Sequence, residues 1–179
     1  MKKSVTIVIL SVFMIIFVGF VKTNVYDDSI NAHIKVTFLY NFTKYIEWPE
    51  EYKQGNFVIG VIGNTPVFPE LLIMQKTKKN GNQSFVINKY SSVDAIEKCH
   101  ILFVSEDQSG KLSEAVIKIK GKSTLLVTEK DGLIYKGAAI NFVINNNKQG
   151  FELNKANIKS RGLNMSTSLT AFAFKVIDK

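Results

Sequence analysis

The sequence predicts one α/β domain: a mixed, mainly parallel sheet covered by helices on both faces, with a C-terminal β-hairpin and helix. Three observations carry that reading. Phe57–Gly63, Ile101–Val104 and Thr124–Thr128 are short, nearly continuous apolar runs, the pattern of strands buried on both faces. Segments with apolar residues at helical spacing lie between strands, the order expected of a parallel sheet with crossover helices. After Gly137 the pattern changes, because Gly137–Ile144 and Gly150–Leu153 flank an Asn145-Asn146-Asn147 turn and read as an antiparallel hairpin.

The elements follow in order. Residues 1–23 have the outline of a signal peptide or N-terminal anchor: Lys2 and Lys3 precede Val5–Val21, which is apolar apart from Thr6, Ser11 and Gly19. The domain is expected over residues 24–179, on the far side of the membrane. Its first helix starts near Asp27, Asp28 and Ser29, whose side-chain oxygens can accept first-turn N–H groups, and stops before Pro49. Ile34, Phe38, Phe42 and Tyr45 recur at steps of four, four and three and form its expected buried face. Tyr40, Asn41 and Lys44 lie off that face and are the candidate residues for contact with a partner.

Beyond the first strand, Asn64-Thr65-Pro66 turns into a helix with Val67, Phe68, Leu71 and Leu72 on one face. Lys78–Asn82 is a turn-rich break before a strand over Ser84–Tyr90, and Val93–Lys98 reads as a short helical link. Leu112, Ala115, Val116 and Ile119 mark the next helix, between Gly110 and Gly121. Following the hairpin, Asn154 can cap a helix that Gly162 interrupts. Ser166 or Thr167 can restart it, with Leu169, Phe172, Ala173 and Val176 as its buried face.

Composition narrows the function. A chain of 179 residues with 46% hydrophobic content suits one folded domain and excludes disorder. The net charge of +8 drops to +5 once Lys2, Lys3 and Lys22 are set aside, and the densest basic group is only Lys76, Lys78 and Lys79 beside a turn. That argues against nucleic acid as a partner. Cys99 is the only cysteine, so no intramolecular disulfide can form. Cys99 and His100 are adjacent in a strand and point to opposite faces, which removes a thiol–imidazole pair. Two histidines and one cysteine have no metal-ligand spacing, and Gly60 and Gly63 fit neither phosphate-loop motif. No catalytic, metal or cofactor site is expected. A sheet of this kind has a crevice at the carboxyl ends of its strands, here near Gly63–Pro66 and Ser105–Ser109, where a small ligand could sit.

Seven segments in the same order resemble the YfiR family of periplasmic proteins. They are Phe38–Pro49, Phe57–Gly63, Cys99–Ser105, Thr124–Thr128, Gly137–Phe142, Gly150–Asn154 and Arg161–Leu169, within about residues 30–177. The resemblance implies a non-enzymatic, extracytoplasmic regulator that binds the periplasmic part of a membrane signalling protein. The partner it implies is a membrane diguanylate cyclase, whose output of cyclic di-GMP, and with it biofilm formation, the regulator represses. The alternative is a small-ligand-binding sensor or solute-binding module without a cyclase partner, and a homodimer is a further expected association. Better-known relatives carry disulfide-forming cysteine pairs, so redox control of that kind does not extend to a chain with Cys99 alone.

Overall fold

The computed structural model describes residues 28–178, so the expected export segment lies outside the described residues. Helix α1 occupies residues 28–45. It is followed by β1 (Ile46–Glu47), β2 (Phe57–Ile62), α2 (Val67–Thr77), β3 (Lys79–Asn80), β4 (Gln83–Tyr90) and β5 (Ile101–Val104). Next come α3 (Leu112–Lys118), β6 (Leu125–Thr128), β7 (Ile140–Asn145), β8 (Lys148–Asn154), α4 (Lys155–Lys159), β9 (Asn164–Met165) and β10 (Lys175–Ile177).

Eight strands form one sheet in the order β10-β8-β7-β6-β5-β2-β4-β3. Strands β4, β2, β5, β6 and β7 are mutually parallel, while β7–β8 and β3–β4 are antiparallel and β10 runs parallel to β8. The mixed, mainly parallel α/β architecture is therefore the one expected. The β7–β8 hairpin turns through Asn146 and Asn147, both with positive φ (49° and 58°), a conformation asparagine tolerates better than other residues with a side chain. Asn154 Oδ1 caps α4 by accepting the Asn157 N–H at 2.9 Å.

Two apolar layers enclose the sheet. On one face, α1, α2 and α4 cover Phe57, Ile59, Phe103, Val127, Phe142 and Phe151. On the other, α3 and the turn after β4 cover Ile62, Leu102, Val104 and Leu126. The buried stripe of α1 is Ala32, Val36, Leu39 and Phe42, continued by Ile46 in β1, and is turned from the expected Ile34, Phe38, Phe42 and Tyr45. The larger rings still pack, but at the flank: Phe38 lies 5.2 Å from Phe151 and Tyr45 lies 5.7 Å from Phe172. Small Ala32 and Val36 let the helix axis approach the sheet, and sequence spacing alone overweights the aromatics.

Three local expectations change. The helix ends at residue 45, because Ile46–Glu47 pairs with Asn164–Met165 as a two-stranded ladder. The Val93–Lys98 link is a turn in which Ile96 N–H bonds Val93 O at 3.1 Å, with Val93 and Ile96 buried. The helix restarting at Ser166 is a 3-10 turn, Thr167–Phe172, after which the chain extends into β10. Leu169 is buried, whereas Phe172 is 55% exposed.

Gly63 closes the end of β2 with φ of +100°, and a Cβ there would lie 1.8 Å from Ser105 Oγ. Gly81 also has positive φ (+57°), but nothing lies within 4 Å of its Cβ position. Gly63→Ala is expected to lower stability by about 3 kcal/mol and Gly81→Ala by about 1 kcal/mol, because only the first adds overlap to backbone strain. Urea denaturation of both variants measures the difference.

Candidate functional site

Tyr40, Asn41 and Lys44 form one cluster on α1. Lys44 Nζ sits 4.4 Å from the Tyr40 ring centroid and 3.3 Å from Asn41 Oδ1. Tyr40 is half-buried against Phe85, ring centroids 6.1 Å apart, and Lys78 Nζ approaches its ring at 5.8 Å. The result is an aromatic ring under two ammonium groups, beside a shallow depression lined by Lys44, Trp48, Lys53, Asn82 and His100. Such a ring holds cations by its negative face and offers partly desolvated area to a partner.

The crevice lies where topology places it, between the diverging connections of β2 and β5. Its inner part is filled by the chain itself. Asp107 accepts the Asn64 N–H at 3.1 Å and the Ser105 hydroxyl, and the Ser105 bond is the main reason its carboxyl is held below the usual range. The open part is a cavity of about 590 Å³ reaching α1, the segment after β6 and the β7–β8 hairpin. Lys35 Nζ lies 2.7 Å from Glu129 Oε2, with side chains 18% and 9% exposed. Glu129 Oε1 accepts the Glu106 N–H at 3.3 Å, so one carboxylate ties α1 to two strand ends. Sequence spacing could not reveal this pair, because Lys35 and Glu129 are 94 residues apart.

Cys99 and His100 are structural. Burial pushes the Cys99 thiol up to about 12, so it stays protonated and unreactive at neutral pH. His100 Nδ1 accepts the Val58 N–H at 3.0 Å, and Nε2 donates to Tyr52 O at 2.7 Å. Both ring nitrogens are thus used by the backbone, and the ring stacks on Phe57 at 4.2 Å. Among the described residues, no group of three or more His, Cys, Asp and Glu side chains could hold a metal ion.

A family profile described as YfiR/HmsC-like matches residues 32–173, well over half of the chain. The chain belongs to the YfiR/HmsC-like family. No curated protein matches it. Among solved structures, a conserved domain protein from Vibrio cholerae O1 biovar El Tor is similar, with TM-score 0.57 at 11% identity. The match covers 81% of this chain and 60% of that one, and at this identity it shows the shared fold. Within this YfiR/HmsC-like domain the family segments fall on structural positions. Trp48 donates Nε1–H to His100 O at 3.2 Å, joining the first segment to the third. Among the described residues no helix is long and apolar enough to cross a membrane.

Two outcomes follow for the YfiR/HmsC-like domain. Burial, the largest influence, lowers the His100 pKa below its ordinary 6.5. The unfolded chain therefore takes up a proton that the folded ring refuses. Stability contributed by His100 is complete above about pH 6.5 and falls as pH drops toward the folded pKa, by at most ~1.4 kcal/mol per pH unit. Denaturant midpoints measured against pH should show that slope, and His100→Gln should remove it. Separately, Glu129→Gln leaves Lys35 without its counter-charge and is expected to cost about 2 kcal/mol in urea denaturation.

Proposed function

We propose that this chain is a non-enzymatic extracytoplasmic regulator that binds the periplasmic part of a membrane signalling protein. The partner is a diguanylate cyclase, and binding represses cyclic di-GMP production. The observation that carries the reading is the YfiR/HmsC-like match across residues 32–173, which spans the fold from α1 to the turn before β10. A binding role is further supported by the state of the two reactive side chains in the core. The Cys99 thiol is held protonated, and both nitrogens of the buried His100 ring are engaged by backbone groups.

The contact surface proposed is the cluster of Tyr40, Asn41 and Lys44. It combines an anchored tyrosine ring, a residue type that dominates binding energy at protein interfaces when buried by a partner, with an exposed ammonium that steers association with an acidic partner. Lys44 is exposed, so its substitution should leave the fold intact.

Deleting the gene should raise cellular cyclic di-GMP, and crosslinking in native membranes should recover a membrane cyclase. Recovery of no signalling protein would sink the proposal. Lys44→Glu should weaken capture of the cyclase's periplasmic part by about tenfold, mainly through slower association, while circular dichroism and thermal unfolding stay unchanged.

A further inference from the structure

Helix α3 carries one apolar residue that its packing does not use. Leu112 and Ala115, with Ile119 just beyond the helix, face the sheet and are buried, whereas Ile117 lies on the opposite side and is 72% exposed. Among the described residues it is the most exposed large apolar side chain. A β-branched residue at an open helix position does not favour the helix, so neither the core nor helix propensity accounts for it.

Its surroundings are basic. Val116 Cγ2 would lie 2.9 Å from a Cβ at Gly137, so α3 packs directly on the segment that carries Tyr135 and Lys136. Tyr135 ends the 3-10 turn Leu133–Tyr135 and is 61% exposed, with Lys175 Nζ 5.2 Å from its ring centroid. Lys118 Nζ donates to Asp94 O at 2.7 Å. Lys120 and Lys136 are exposed and, among the described residues, have no carboxylate partner. The nearby carboxylates of Glu114 and Glu152 are engaged, the first by Lys111 at 3.0 Å and the second by Asn141 Nδ2 at 3.3 Å. Asp94 alone is then set against Lys118, Lys120, Lys136 and Lys175.

Charge selects the occupant of this face. A second copy of the chain would bring these lysines against one another. Protein interfaces are depleted in lysine, which makes a protein partner the poorer match. Anionic lipid suits every group present. Isoleucine enters the acyl boundary, tyrosine sits at headgroup level, and long lysine stems carry their ammonium groups to the phosphates.

We propose that the face formed by α3 and the turn before β7 docks peripherally on a bilayer of anionic phospholipid. This goes beyond the regulatory reading, and its test needs no cyclase.

The test reads position 117 directly, because the apolar run Val5–Val21 can enter a vesicle of any charge. Trp48 is the only tryptophan of the chain and is 5% exposed. Bromine-labelled phosphatidylcholine vesicles should therefore quench full-length Ile117→Trp and leave the unsubstituted chain unquenched. An equal mixture with phosphatidylglycerol should reach half-maximal quenching at about tenfold less lipid than phosphatidylcholine alone, a gap that narrows as salt is added. Lys120→Glu with Lys136→Glu should abolish the gap at an unchanged melting temperature, since both side chains are exposed. Should that variant not fold, Lys136→Gln alone should narrow the gap. Quenching that is absent, equal on both vesicles, or indifferent to the lysine changes would overturn the proposal. A concentration-dependent dimer dissolved by Ile117→Ser would also overturn it, by assigning the face to a second copy. Loss of cyclase capture by Ile117→Ser without lipid present would do the same, by assigning the face to the protein partner.

Discussion

The rest of the structure hangs on the entry to strand β5, where His100 satisfies five backbone or ring partners at once. Its N–H reaches Val58 O at 2.9 Å, and its carbonyl accepts Leu125 N–H at 2.8 Å and Trp48 Nε1–H at 3.2 Å. Its ring accepts Val58 N–H and donates to Tyr52 O. Three sheet strands, the exit from α1 and the turn before β2 thereby meet at one residue that is 5% exposed. Backbone groups at the start of a doubly covered sheet have no access to water, so each must find a partner inside the protein. An imidazole in its neutral form supplies one donor and one acceptor on a rigid frame, which is what this corner needs. Tyr52 extends the same corner, since its hydroxyl accepts the Ser123 N–H at 3.1 Å.

Most of the fold could be read from local pattern, and what could not was set by distant packing. The apolar runs at β2, β5 and β6, the Asn turn of the hairpin and the Asn154 cap were all visible, since each depends on residues within a few positions. The orientation of α1 was not, because the choice between the Ala32–Val36–Leu39 stripe and the Phe38–Tyr45 flank is made by the sheet beneath. Residues near the C-terminus misled for a related reason. Leu169, Phe172 and Val176 have helical spacing, but Thr167–Phe172 closes as a 3-10 turn and Lys175–Ile177 pairs with the edge of β8 as a strand.

The candidate sites divide in the same way. Tyr40, Asn41 and Lys44 are three or four positions apart on one helix, so their juxtaposition follows from helical geometry. The crevice was placed correctly by strand order, but its chemistry was hidden. Asp107 fills the inner part, and the charges that line the open part come from α1 and from the segments after β5 and β6. Nothing in the spacing of Lys35 and Glu129 announces that they meet. The same holds for His100, whose hydrogen bonds to Val58 and Tyr52 span 42 and 48 residues.

Strand β10 has a consequence for association of the molecule with copies of itself. It is three residues long, runs parallel to β8 and is fastened where the Phe174 ring lies across Gly150, at a distance no Cβ could share. Without it, the seven-residue β8 would present an unpaired rim of N–H and C=O groups, open to zippering with an identical rim. A short edge carrying Lys175 at its start makes a poor template by comparison. The small glycine in the middle of β8 thus seats the ring that pins a guard strand along Glu152–Asn154 and shortens the edge the hairpin would otherwise leave open.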